Sequence, residues 1–230
     1  MKFNKSIFGM IHLYGTSPVE RALEEIQIYQ EEGLQGVIVE NYHGSTDDVI
    51  TVLRNLKDVK IEIGINILPN EYELAFELAE QYGSFIQMDY ISGRYEKNTY
   101  LDVDHYMSYR NKYPNVSVLG GVWPKYYRPV EGSDLKEDLT KAKMLCDAIV
   151  VTGYGTGMET PIDKIKTFRE IIGDFPLIIG AGVTSDNIKN LEVADGAIIG
   201  SYFKNGNTTS KVDRELVKLF MNKLWANRCI

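Results

Sequence analysis

A chain of 230 residues, 44% hydrophobic and 25% charged, can bury one sizeable core, and single-domain α/β barrels fall in this length range. Its net charge of -7 argues against the basic surface that nucleic-acid binding requires, so no nucleic-acid partner is expected. Cys146 and Cys229 are too few for a disulfide framework, the N-terminal apolar stretch is short and broken, and no apolar run reaches membrane-spanning length. The expectation is a cytoplasmic protein with no membrane span.

In chain order, short β-branched runs alternate with amphipathic segments. The first strand is predicted over Ile7–His12. Its helix opens on Ser17-Pro18-Val19-Glu20, which has capping-box spacing with proline at the first helical position. Gly36–Glu40 is the second strand, and Ser45 to Asp48 places carboxylates at the positive end of the next helix. The third strand is Ile61–Ile67, with Asn70 to Glu73 as a related cap for the helix that follows. Strands over Phe85–Asp89 and Val116–Val122 flank a helix over Val103–Lys112. A helix over Leu135–Cys146, a strand over Ala148–Thr152 and a helix over Ile162–Ile172 come next. Leu177–Gly180 and Ala197–Gly200 are the last strands, with helices over Asp186–Leu191 and Arg214–Asn227. Gly33, Gly83 and Gly173 stand where helices end. The strands are nearly continuous apolar runs, as parallel strands covered on both faces require. Eight strand–helix units predict a (β/α)8 TIM barrel, one domain over residues 1–230, rather than an open doubly wound sheet.

In such a barrel the C-terminal strand ends share one mouth, and the polar residues there are the functional candidates. His12 ends the first strand, as a mouth group or a structural histidine. Glu40 ends the second, after an apolar run that would make an unpaired carboxylate costly, and reads as acid/base, hydroxyl acceptor or metal ligand. Asn41 orients a ligand or caps the next turn. Asn66 is expected to face the barrel interior. Asp89 is the second carboxylate, and with Glu40 it could divide acid and base roles or hold a divalent cation; no other cofactor is expected. His105, in a predicted helix, is expected at the surface. Trp123 is an aromatic platform or a simple cover. Lys125 offers a counter-charge or a proton. Thr152 and the run Gly153 to Gly157 follow the sixth strand.

Two glycine corners end the chain's last strands: Gly180-Ala181-Gly182, and Gly200-Ser201. Glycines admit close backbone approach, helix N-termini attract anions, and the loops after strands seven and eight often hold a phosphate. The alternative is that these glycines only permit tight turns.

The segments "FGMIHL", "GVIVEN", "GINIL", "DAIVVTGYGTG", "PLIIGAGVTSDNI" and "ADGAIIGSYFKNG" resemble, in order, the BtpA/SgcQ family, whose members are similar to ribulose-phosphate-binding barrels. The resemblance implies a phosphate-type site at the last two strands. It maps family motifs onto His12, Glu40, Asn41, Asn66, Lys125, Thr152, Gly153, Thr156, Gly157, Gly180, Gly182, Gly200 and Ser201. The chain departs from the family pattern at Gly121, where an acid is usual, at Tyr126 for a histidine, and at Gln87 and Asp89 for an arginine and an asparagine. The loop after the first strand is also shorter than usual.

The expected activity is therefore that of a small-molecule enzyme acting on a phosphorylated sugar or ribosyl-like substrate, as isomerase, lyase or glycosidase. Glu40, Asp89, Lys125, His12 and Asn66 would be catalytic. Gly155, Gly157, Gly180, Gly182, Gly200 and Ser201 would bind phosphate, and Asn41, Trp123, Thr152 and Thr156 would bind the rest of the substrate. The competing reading is a non-catalytic assembly or biogenesis factor that keeps the barrel. With 15 Tyr, 8 Phe and 2 Trp there is material for a homodimer interface, though no patch stands out.

Overall fold

The computed structural model describes residues 3–226. Eight parallel strands close into a barrel: β1 (Ser6–His12), β2 (Gly36–Glu40), β3 (Glu62–Asn66), β4 (Phe85–Met88), β5 (Ser117–Gly121), β6 (Ala148–Val151), β7 (Leu177–Ile179) and β8 (Gly196–Ile199). Each strand pairs with its sequence neighbours, and β8 closes on β1, with Ser6 opposite Gly196. The helices α1 (Pro18–Glu31), α2 (Thr46–Arg54), α3 (Tyr72–Tyr82), α4 (Val103–Lys112), α5 (Leu135–Leu145), α6 (Ile162–Ile172) and α7 (Arg214–Ala226) accompany the strands. Among the described residues no helix is long and apolar enough to cross a membrane.

Alternation along each strand divides the core in two. Phe8, Met10, Ile38, Phe85, Leu119, Ala148, Val150, Ile178 and Ile198 fill the barrel interior. The larger cluster, including Ile11, Val39, Ile65, Ile86, Val118 and Ile179, lies under the helices. Register aligns His12 with Glu40, and Glu40 with Asn66. The next inward step on each strand above the apolar interior is thus His12, Glu40, Asn66, Gln87, Gly121, Thr152, Gly180 and Gly200. One geometric rule, a period of two in a closed parallel barrel, gathers these dispersed positions at one end.

Several local expectations are corrected. Ser17 is the N-cap of α1 with Pro18 behind it, but its side chain makes no capping hydrogen bond. Asn70 does not cap α3; it sits at φ 70° and its amide bonds the Tyr90 backbone instead. Ser45 and Asp48 do form a reciprocal capping box on α2. The helix expected over residues 186–191 is a 3-10 turn, Ile188–Glu192, and a second one, Ser201–Lys204, follows β8. The loop after β4 carries a small hairpin, Arg94–Tyr95 with Thr99–Tyr100, whose polar, turn-rich sequence hid it. Asn227 and Cys229 lie outside the described residues.

Candidate active site

A cavity of about 380 Å³ opens at the C-terminal mouth of the barrel. It falls within the range of whole small-molecule sites, roughly 300–1,000 Å³. His12, Glu40, Asp89, Lys125, Thr152, Thr156, Gly157, Gly180, Gly182, Gly200 and Ser201 all line it.

Glu40 is the centre of the polar wall. Its side chain is 12% exposed, and its Oε1 accepts from Asn66 Nδ2 at 2.9 Å. Burial, then the neighbouring Asp89 carboxylate, pushes its carboxyl up to about 7. Asn66 is buried and does not touch the cavity; its Nδ2 also donates to Gln87 Oε1 at 3.2 Å, so it fixes two lining side chains from behind. His12 Nε2 stands 3.8 Å from Glu40 Oε2. Burial, then the charge of Lys204, holds the imidazole well below its usual range, so His12 is neutral at pH 7 and the contact is not an ion pair. Burial also raises Asp89, against a hydrogen bond that Tyr127 Oη donates to Asp89 Oδ2 at 3.1 Å. Two carboxyl groups thus keep protons further toward neutrality than free carboxylates, the condition for acid–base work.

Lys125 faces them. Its backbone N–H donates to Thr152 Oγ1 at 2.7 Å, and its Nζ donates to Thr156 Oγ1 at 3.1 Å. Tyr126 Oη donates to the same oxygen at 3.1 Å and accepts from the Thr156 N–H at 2.9 Å. This crosslink holds the ammonium beside Gly157, where a Cβ would come within 2.8 Å of Ser201 Oγ. Lys125, Thr156, Gly157 and Ser201 therefore form one continuous corner.

The glycine corners have packing reasons as well. Gly182 is at φ 71°, and a Cβ there would overlap the Met158 carbonyl oxygen. Asn187 shapes that turn, accepting from the Thr184 N–H at 2.8 Å and donating to the Gly182 carbonyl at 2.9 Å. A Cβ at Gly180 would press on Val150 and Thr152. The elements beyond both corners are 3-10 turns of five and four residues, too short to supply the dipole of a full helix. Charge for an anion at this corner would come from Lys125, with backbone N–H groups and the Ser201 hydroxyl as donors.

Three expected ligand-facing residues point elsewhere. Asn41 bonds the Leu68 backbone, accepting its N–H at 2.8 Å and donating to its carbonyl at 3.3 Å. Trp123 donates its indole N–H to Asp138 at 2.9 Å and packs on the core outside the cavity. Gly155 is buried beside Met158, because the loop folds back on itself there. His105 is exposed and pairs with Glu73 at 3.1 Å. At Gly121 a Cβ would overlap the Asp89 carbonyl oxygen, so glycine there admits the chain that carries Asp89 into the mouth. Among the described residues, no three His, Cys, Asp or Glu side chains gather as a metal site.

Gln87 and Tyr126, noted in the sequence as departures from the family pattern, stand in the mouth, and sequence reasoning missed several further groups. Tyr42, Leu68, Tyr127 and Tyr202 line the cavity, as do Gln87 and Tyr126. Lys164 of α6 donates to the Thr152 and Trp123 carbonyls at 2.8 and 3.0 Å, tying two mouth loops together. Lys204 is wholly buried, 3.4 Å from Glu25 Oε2, and Glu25 pairs with Arg21 at 2.8 Å. Burial lowers Lys204 to about 8. The Arg21–Glu25 spacing of four on a helix was a readable signal; a lysine in the polar stretch after the last strand was not.

A family model described as the BtpA family matches residues 4–226. An uncharacterised protein of Thermococcus kodakarensis is 28% identical over 250 residues, covering 94% of this chain and 95% of the relative. The photosystem I biogenesis protein BtpA of Synechocystis is 26% identical, with 95% and 87% covered. Among solved structures, orotidine 5'-monophosphate decarboxylase of Methanocaldococcus jannaschii superposes with a TM-score of 0.67 at 16% identity, covering 97% of this chain and 99% of that one. That likeness establishes the (β/α)8 fold.

Proposed function

We propose that this chain, which belongs to the BtpA family, is a small-molecule enzyme that holds a phosphorylated sugar or ribosyl-like substrate by its anionic end and performs acid–base chemistry on it. The observation that carries this reading is Glu40, a carboxyl pushed up to about 7 in a cavity it shares with Lys125. At neutral pH such a group is present in both protonation states and can give or take a proton. Asp89 is the second proton carrier, and neutral His12 positions a hydroxyl or carbonyl. Asn66 is a positioning residue acting through Glu40. Gly157, Gly182, Gly200 and Ser201 hold the anion, and the Lys125 ammonium balances its charge. Isomerisation, lyase cleavage and glycosidic-bond cleavage all draw on such a set. The structural neighbour, by its name, acts on a phosphorylated ribosyl compound on the same fold.

A second reading, an assembly factor without chemistry, is favoured by the name of the Synechocystis relative. A scaffold has no use for polar groups at the barrel end, each of which costs roughly 1–3 kcal/mol when unpaired. Thermal unfolding with ribose 5-phosphate and with ribose separates the two. Enzyme-type binding predicts stabilisation of about 2.7 kcal/mol at one hundred times the Kd of ribose 5-phosphate and none with ribose. Ser201→Asp should abolish the effect. No stabilisation by ribose 5-phosphate leaves the scaffold reading standing.

A further inference from the structure

Strands β7 and β8, which carry the glycine corners, lie across the closed barrel from β3 and β4. Apolar residues line both sides of the cavity, with Val150, Val183, Ile198 and Tyr202 on the anion side, but the far side sets its apolar faces around a fixed amide and a fixed carboxyl. Tyr42 after β2, Leu68 after β3 and Tyr127 after β5 contribute apolar surface, each half-buried. Between them stand the side chains of Gln87 and Asp89 from the end of β4. Gln87 Oε1 is engaged by Asn66 Nδ2, which fixes the amide plane, while its Nε2 has no partner among the described residues. Asp89 is likewise fixed by the Tyr127 hydroxyl at 3.1 Å.

A bare sugar phosphate presents hydroxyls in every direction and is matched by hydroxyls, amides and carboxylates all round. Two tyrosines and a leucine on the wall remote from the anion corner do not match it. Flat apolar faces flanking a single pinned amide and a single pinned carboxyl suit a planar group, buried on its faces and read along one polar edge. The volume agrees, since a cavity of about 380 Å³ exceeds what an anion and its immediate cradle need.

We propose that Tyr42, Leu68 and Tyr127, around the Gln87 amide and Asp89, form a subsite for a planar heteroaromatic ring, so that the substrate is a ring-bearing ribosyl phosphate of the nucleoside 5'-monophosphate type. The proposal rests on the phosphate reading above and adds the class of the substrate's other end. The anion sits at β7 and β8, the ribose spans the middle of the mouth beside Glu40 and Lys125, and the ring enters the far slot. Gln87 Nε2 donates to a ring acceptor, and Asp89, the second proton carrier, meets a ring nitrogen, to which it can give or from which it can take a proton.

Isothermal titration of the intact protein with ribose 5-phosphate, uridine 5'-monophosphate and adenosine 5'-monophosphate tests this. At least one nucleotide should bind tenfold or more tightly than ribose 5-phosphate. Leu68→Trp, which fills the slot, and Tyr42→Ala, which opens it, should each remove that advantage while ribose 5-phosphate binds as before; retained ribose 5-phosphate affinity also certifies the fold. If ribose 5-phosphate binds and neither nucleotide binds more tightly, the ring subsite is wrong and the phosphate reading stands. A nucleotide advantage that survives both substitutions overturns the placement of the ring. If no compound of the three binds the wild-type protein, the phosphate reading fails too.

Discussion

Replacing Glu40 by glutamine keeps the shape of the side chain and the oxygen that accepts from Asn66 Nδ2, and removes only the titrating group. Burial raises the carboxyl from 4.5 to about 7 in the folded protein. Between those two values the unfolded chain has released its proton and the folded protein still holds it, so stability falls as pH rises through this window. At 1.36 kcal/mol per tenfold change in proton affinity, the ionised carboxylate costs the fold about 3 kcal/mol above pH 7. The side chain is nearly inaccessible, so solvent screening trims this only modestly. Glu40→Gln should match wild type within about 0.5 kcal/mol at pH 4.5 and exceed it by about 2–3 kcal/mol at pH 8. Urea denaturation at both pH values provides the measurement. His12 adds an opposite slope below its usual titration range, because its folded imidazole resists protonation. Since both proteins carry His12, the wild-type minus variant difference cancels it. An equal difference at the two pH values, or a variant less stable at pH 8, would refute burial as the cause.

Lys204 offers a second test of the same physics: its ammonium is lowered to about 8 by burial, and that cost applies wherever it stays protonated, below about pH 8. Lys204→Met removes that cost but leaves the buried Glu25 with Arg21 as its cationic partner, so any gain at pH 7 in denaturant melts should stay well below the roughly 3 kcal/mol of the burial cost. The same substitution should move the His12 imidazole upward in an NMR titration, since Lys204 opposes its protonation. Gly121→Ala should destabilise by about 1–3 kcal/mol, because the added methyl meets the Asp89 backbone, and a melting curve unchanged from wild type would show that the strand-four loop yields freely. Tyr127→Phe removes the hydrogen bond that restrains Asp89, so its carboxyl should titrate still higher by carbon-detected NMR.

The barrel was legible because its signals are local and repeated. Gly36–Glu40, Val103–Lys112 and Ile162–Ile172 coincide with their predicted bounds, and the remaining strands agree to within a residue or two. His12, Glu40 and Asp89 were legible because a polar group ending an apolar strand is costly anywhere except at the mouth. Trp123 and Asn41 were not, because the same strand-end position leaves open whether a side chain turns inward or back to its own loop. In both cases a distant partner decides, Asp138 for the indole and the Leu68 backbone for the amide. Lys204 was hidden for a related reason. A lysine in a polar stretch reads as solvated, and only tertiary packing brings it against Glu25 of α1. The glycines after β7 were visible with both meanings, cradle and tight turn; the contact that makes Gly182 obligatory, the approach of Met158, is set by tertiary packing.

The proposed chemistry requires an oxyanion at the corner of Gly182, Gly200 and Ser201, beside Lys125. Crystals soaked in tungstate, a heavy phosphate analogue, test it most directly by anomalous scattering. A strong peak is expected between the Gly182 and Gly200 backbones and the Ser201 hydroxyl, lost in Ser201→Asp. A tungstate that settles elsewhere in the mouth, or a corner left without a peak at saturating concentration, would contradict it.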